Sequence, residues 1–106
     1  MTPNGYPDES ELRRIRKWHG DWTDLLAFVE TLWRYADTGY WVQHGNRYEV
    51  STVGWSGNES IIAALEENLI FWTMCWWSSR RGGHYEFKVP TYAVTKKSVL
   101  RKKEAK

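Results

Sequence analysis

The chain has 106 residues and a formal net charge of +2, with eight tryptophans, six tyrosines and three phenylalanines but one cysteine. That length holds one domain, and that aromatic content excludes a disordered chain, because each ring can bury on the order of 150–250 Å². Cys75 alone excludes an intramolecular disulfide and a cysteine-rich zinc site, which fits a reducing compartment.

Met1 to Asp8 is polar, carries Pro3, Gly5 and Pro7, and lacks an apolar run, so 1–7 is expected to fray and no secretory signal is read there. Asp8 with Glu11 three residues on forms a capping-box pattern and opens a helix to about His19, with Leu12, Ile15 and His19 on one face. Gly20 suits the left-handed position after that helix, and Asp21 caps a second one over 22–36. Trp22, Leu25, Leu26, Val29, Leu32, Trp33 and Ala36 recur at the helical period and form its buried stripe.

From Tyr40 to Val53 the period changes to that of a β-hairpin. A two-residue turn at Gly45-Asn46 pairs Gln43 with Tyr48 and Trp41 with Val50, and turns those four toward the core. The opposite face, with Tyr40, Val42, Glu49 and Ser51, is less polar than a solvated face should be, which suggests a cover. Ser56 or Asn58 then caps a third helix that is expected to run to about Arg81, roughly 35 Å at 1.5 Å per residue. Its first half is amphipathic. From Leu69 to Trp77 apolar side chains surround the axis, so that half must be enclosed on all sides, by this chain or by another. Gly82-Gly83 ends the helix. A strand follows over His84 to Val89, with Tyr85, Phe87 and Val89 inward and His84, Glu86 and Lys88 outward.

The expected fold is therefore α+β, order α-α-β-β-α-β: a three-stranded, mainly antiparallel sheet on three helices, the third long and central. Residues 1–90 form the compact domain and 91–106 a basic, mobile tail. That tail has six basic residues against one acidic, a balance of +5, whereas the rest has nine against twelve, a balance of −3. The longest apolar stretch is too short for a membrane span, which needs about 20 residues, so no membrane partner is expected and the cytoplasm is the expected location.

Few residues carry recognisable chemistry. His19, His44 and His84 lack metal-ligand spacing, and no catalytic triad, phosphate loop or dinucleotide pattern is present, so no cofactor, metal or enzymatic activity is expected. A site at Glu59, Arg81 and His84 would need two residues roughly 33 Å apart on one helix. Cys75, among aromatics, reads as a buried inert thiol. Aromatic and arginine side chains most often carry interface energy, which marks Trp55, Trp77, Arg80, Arg81 and His84 as protein-contact candidates. Lys96, Lys97, Arg101, Lys102 and Lys103 are the candidates for an alternative, electrostatic contact with nucleic acid.

The string Gly54-Trp55-Ser56-Gly57-Asn58-Glu59, with Phe71-Trp72, Cys75-Trp76 and Ser78-Ser79-Arg80-Arg81-Gly82-Gly83-His84-Tyr85-Glu86-Phe87, resembles a family of small uncharacterised proteins of bacteriophages and prophages, notably actinobacterial ones. The resemblance implies a phage accessory product acting in the host cytoplasm. Such products often bind and redirect host or phage proteins, defence systems included, so it favours a non-enzymatic binding role, with a homodimer compatible.

Overall fold

A computed structural model describes residues 5–90; the start of the expected leader and the basic tail over 91–106 lie outside the described residues. The order is α1 (Glu9–Arg16), α2 (Trp22–Leu32), a 3-10 turn (Ala36–Thr38), β1 (Trp41–His44), β2 (Arg47–Ser51), α3 (Ser56–Glu67), α4 (Leu69–Cys75), β3 (Trp76–Arg80) and β4 (His84–Lys88). The four strands form one antiparallel sheet in the order β1-β2-β4-β3. The fold is α+β as expected, but with a fourth strand and a divided third helix. No described helix is long and apolar enough to cross a membrane.

The first two helices start where their caps place them. Asp8 accepts from the Glu11 amide while the Glu11 carboxylate accepts from the Asp8 amide, a reciprocal box that satisfies two helix-end donors. Asp21 accepts from the Asp24 amide at 3.2 Å. Trp22, Leu25, Leu26, Val29 and Leu32 are all buried, as their spacing predicts. Both helices stop early, α1 at Arg16 and α2 at Leu32.

The early end of α2 has a specific cause. The fully buried Asn58 amide accepts from the Arg34 N–H at 3.0 Å and donates to the Arg34 carbonyl at 3.2 Å, drawing that backbone out of the helix. The buried Trp33 indole meanwhile donates to the Ser51 carbonyl at 3.1 Å, tying the end of α2 to β2. Asn58 is therefore a clasp and not the cap of α3. Trp55 occupies the cap position, and no side chain caps that helix.

The β1–β2 hairpin has the expected register, Trp41 opposite Val50 and Gln43 opposite Tyr48. Trp41, Tyr48 and Val50 are buried, and Gln43, though exposed, donates to the Tyr48 hydroxyl at 3.1 Å. In β4, Phe87 is fully buried and Tyr85 half-buried, with Val89 buried just beyond the strand, so the predicted alternation holds. Asn46 and Val89 grip each other: the Asn46 side-chain amide donates to the Val89 carbonyl at 2.7 Å and the Val89 N–H donates to the Asn46 carbonyl at 2.9 Å.

The single long helix to Arg81 is not formed, and the break lies at Asn68. Its backbone is non-helical at φ −83, ψ 87. Its buried side chain accepts from the Phe71 N–H at 3.2 Å, capping α4, and donates to the Ile15 and Trp18 carbonyls at 2.9 and 3.0 Å, holding the end of α1. Beyond α4 the chain turns extended. Aromatic and serine residues over Trp76–Arg80 are poor helix formers, and β4 offers them a pairing partner across the Gly82-Gly83 turn. The enclosure expected for Leu69 to Trp77 is overturned with the helix. Phe71 and Cys75 are buried, but Leu69, Ile70, Trp76 and Trp77 are 72%, 54%, 42% and 59% exposed.

Two connections show how closely the loops meet. The Thr52 N–H donates to the Gly83 carbonyl at 3.0 Å, and a side chain at Gly83, whose φ is +82, would overlap Thr52. Beside it Val53 holds a left-handed φ of 48, a conformation that crowds a β-branched residue.

Two measurements check these assignments. Asn68→Ala removes three hydrogen bonds of a buried amide and should lower unfolding stability by about 3 kcal/mol, roughly 10–20 °C in Tm for a domain of this size. It deprives the Phe71 N–H and the Trp18 carbonyl of this partner, while the Ile15 carbonyl keeps its bond from the Trp18 N–H. Val53→Gly should raise stability by about 0.5–1 kcal/mol in the same denaturation experiment, because relief of strain exceeds the added chain entropy.

Candidate functional site

The sheet has two unlike faces. Trp41, Tyr48, Val50, Tyr85 and Phe87 lie toward the helices, and Trp72 meets Phe87 and Tyr85 edge-on at 5.8 and 6.3 Å. Val42, Arg47, Glu49, Ser78, Arg80, His84, Glu86 and Lys88 lie on the other face, as the register and the alternation of side chains require. A shallow depression of about 240 Å³ opens on this outer face, between Tyr40, Val42, Glu49, Ser78, Arg80, His84 and Glu86. The cover expected from the semi-apolar residues of the hairpin is local: Ser51 is buried and Val42 half-buried, while Tyr40 stays 40% exposed.

Charge on this face is divided. Arg47 bridges Glu86 at 2.6 Å and Glu49 at 3.5 Å, and Glu86 also accepts from the Ser78 hydroxyl at 3.3 Å. Both carboxylates are thus satisfied within the sheet. Arg80 and His84, directly opposite each other across β3 and β4, make no side-chain hydrogen bond or ion pair among the described residues, and neither does Arg81 in the exposed turn that follows. The result is a cationic end at the β3–β4 turn and a neutralised middle.

Trp77 stands at the other end of β3, with the Lys88 ammonium 4.8 Å from its ring centre. It shares the outer face with Lys88. A bulge between Trp76 and Ser78 lets Trp76 face the helix side instead, where it stacks on Trp72 at 6.1 Å and donates from its indole to the Ser79 hydroxyl at 2.7 Å. Four of the large exposed apolar residues therefore fall within the short run Leu69–Trp77, on α4 and the start of β3.

Of the contact residues expected from sequence, Trp77, Arg80, Arg81 and His84 come together on the β3–β4 hairpin. Trp55 does not join them. Its ring lies over Gly57, where a side chain would overlap it, with Tyr6 at 4.7 Å and the Arg34 guanidinium at 4.9 Å. Tyr6 also meets the Ser56 hydroxyl at 3.2 Å. These contacts hold the half-buried Trp55 apart from the β3–β4 hairpin. Arg81 is not on a helix with Glu59, so the distance argument against a shared site falls with the long helix. Lys96, Lys97, Arg101, Lys102 and Lys103 lie outside the described residues. Sequence reasoning missed Leu69, Ile70 and Trp76 as surface residues, because an apolar run on a presumed helix gives no signal of which side faces water.

No family model, curated protein or solved structure matches the chain. The site is therefore read from its own chemistry. Among the described residues no group of histidine, cysteine, aspartate or glutamate is arranged to hold a metal ion. Cys75 is 1% exposed, and burial pushes its thiol from about 9 up to about 12, which suppresses the nucleophilic thiolate.

That shift has a consequence for alkaline stability. The unfolded thiol ionises near 9 and the folded one near 12, so its contribution is complete below pH 9 and is lost as pH rises from about 9 to about 12. Tyr48 and Tyr85 are raised in the same direction, chiefly by burial, so the cysteine share must be taken by difference. The stability advantage of the wild type over Cys75→Ala should be constant up to about pH 9 and shrink above it in denaturant titrations.

Proposed function

We propose that this chain is a non-enzymatic binding protein that engages a host or phage protein through the apolar surface of α4 and the adjoining β3–β4 hairpin. The observation that carries the reading is the concentration of exposed Leu69, Ile70, Trp76 and Trp77 within nine residues of chain, beside Arg80, Arg81 and His84. Large apolar side chains left open this close together in the chain are the kind of surface that another protein covers on binding, even though Trp76 and Trp77 point to opposite faces of the sheet. Tryptophan and arginine are also the side chains that most often dominate interface energy.

The resemblance of the Gly54-to-Phe87 string to phage and prophage proteins supplies a setting: an accessory product in the cytoplasm of an actinobacterial host, where a host defence component is one class of target. The binding reading does not depend on an enclosed helix. It depends on the opposite condition, apolar residues left open in a single copy.

Affinity capture from host lysate with quantitative mass spectrometry tests this. A protein enriched by the wild type should be lost with Leu69→Asp/Ile70→Asp, two exposed positions where charge is tolerated by the fold, and retained with Glu66→Ala on the exposed side of α3. Enrichment that is absent, or indifferent to both α4 substitutions, overturns the proposal.

A further inference from the structure

β3 is an edge strand: it pairs with β4 on one side, and its other side has no hydrogen-bonded neighbour among the described residues. An exposed edge offers a row of unpaired amides and carbonyls to any extended chain, and folded proteins usually blunt such edges with lysine or proline. Trp76–Arg80 contains neither; its bulge lies at the Trp76 end and its one charge at Arg80, so the stretch from Ser78 to Arg80 keeps a regular open edge. The other edge, β1, lies against the 3-10 turn at Ala36–Thr38.

The sequence of β3 is polar in the directional sense. Trp76 and Trp77 stand at its start, Ser78 and Ser79 in the middle, and Arg80 at its end, followed by Arg81. We propose that β3 pairs antiparallel with β3 of a second copy, joining two four-stranded sheets into one, with Trp77 of each copy against Arg80 of the other.

Three observations select this occupant. Reversal of the strand brings the aromatic end of one copy to the cationic end of the other, twice over by symmetry, whereas parallel pairing would set arginine beside arginine. A two-fold axis perpendicular to the sheet keeps outer faces together, and Trp77 and Arg80 are both on the outer face. The guanidinium makes no hydrogen bond or ion pair among the described residues, and the Trp77 indole, 59% exposed with Lys88 at one place on its ring, has surface for a second cation. The small serines between them let the two edges approach.

This inference rests on the reading above only in taking β3 as part of an interface; it concerns the purified chain and needs no foreign partner. Sedimentation velocity of the full chain over a concentration series should show a reversible dimer. Trp77→Lys and Arg80→Glu should each weaken association by about tenfold or more, because they place like charge against Arg80 or an anion against the indole. Mixed together, the two variants should recover a heterodimer. The introduced lysine of one copy then meets the introduced glutamate of the other, while a native Trp77–Arg80 contact forms at the symmetric position. In the wild type, amide exchange at those of Ser78, Ser79 and Arg80 whose N–H points away from β4 should slow as concentration rises, a readout that does not depend on any variant folding. A chain that stays monomeric overturns the inference, as does a dimer indifferent to both substitutions, a mixture that does not recover, or exchange independent of concentration. A monomer that still captures a host protein through Leu69 and Ile70 leaves the binding reading standing and removes this one. A dimer that captures nothing does the reverse.

Discussion

The arrangement depends on one buried amide. Asn68 sits where a continuous apolar helix would otherwise run, and its side chain satisfies three backbone groups, at the end of α1, just beyond it at Trp18, and at the start of α4. Burying an amide is unfavourable unless its hydrogen bonds are replaced, and here one of those bonds also answers the Phe71 N–H, a helix-start donor with no acceptor within its own helix. The break in the helical ladder is thereby compensated locally. Once the chain has turned at Asn68, α4 is short, the backbone emerges extended, and β3 becomes available to the sheet. Asn58 acts by the same logic at the other end of α3, where it detaches Arg34 from α2. Two asparagines thus fix the ends of three helices.

The placement of the exposed residues follows from that geometry. Phe71 and Cys75 lie four apart on α4 and both reach the core, so Leu69 and Ile70, at other angles around a helix of seven residues, cannot. The bulge at Trp76 then divides the two tryptophans between opposite faces of the sheet, so that one stacks on Trp72 and the other stands beside Lys88. Meanwhile the internal pairing of Arg47 with Glu49 and Glu86 uses up the acidic groups of the outer face and leaves the cations of the turn uncommitted. Apolar surface and unneutralised positive charge therefore occupy two ends of one short hairpin.

Much of this is legible in the sequence alone. The α+β class, the Asp8–Glu11 box, the Asp21 cap, the stripe of α2, the register about Gly45-Asn46 and the inward residues of the last strand all rest on local rules that the fold obeys. The departures fall where local signals are degenerate. An apolar run from Leu69 to Trp77 has no distinct period, so a short helix followed by a strand looks the same as one enclosed helix. The Gly82-Gly83 pair reads equally as a helix end and as the turn of a hairpin, and the hairpin is what forms. Asn68 carries no sequence signature, since its partners Ile15 and Trp18 are some fifty positions away. Four of the five expected contact residues fall on one hairpin, three at its turn and Trp77 at the far end of β3, whereas Trp55 lies apart against Tyr6, Gly57 and Arg34, a packing that no spacing rule encodes.

The reciprocal grip between Asn46 and Val89 fixes one end of the sheet relative to the other. It pins the chain just before Pro90 to the β1–β2 turn, whereas the arginine turn lies at the opposite end of the strands, where Gly83 meets Thr52. The sheet therefore works as a spacer. Val89 is held about five residues of strand, roughly 17 Å, from His84 beside the arginine turn, so the two ends of β4 keep a fixed separation set by the sheet.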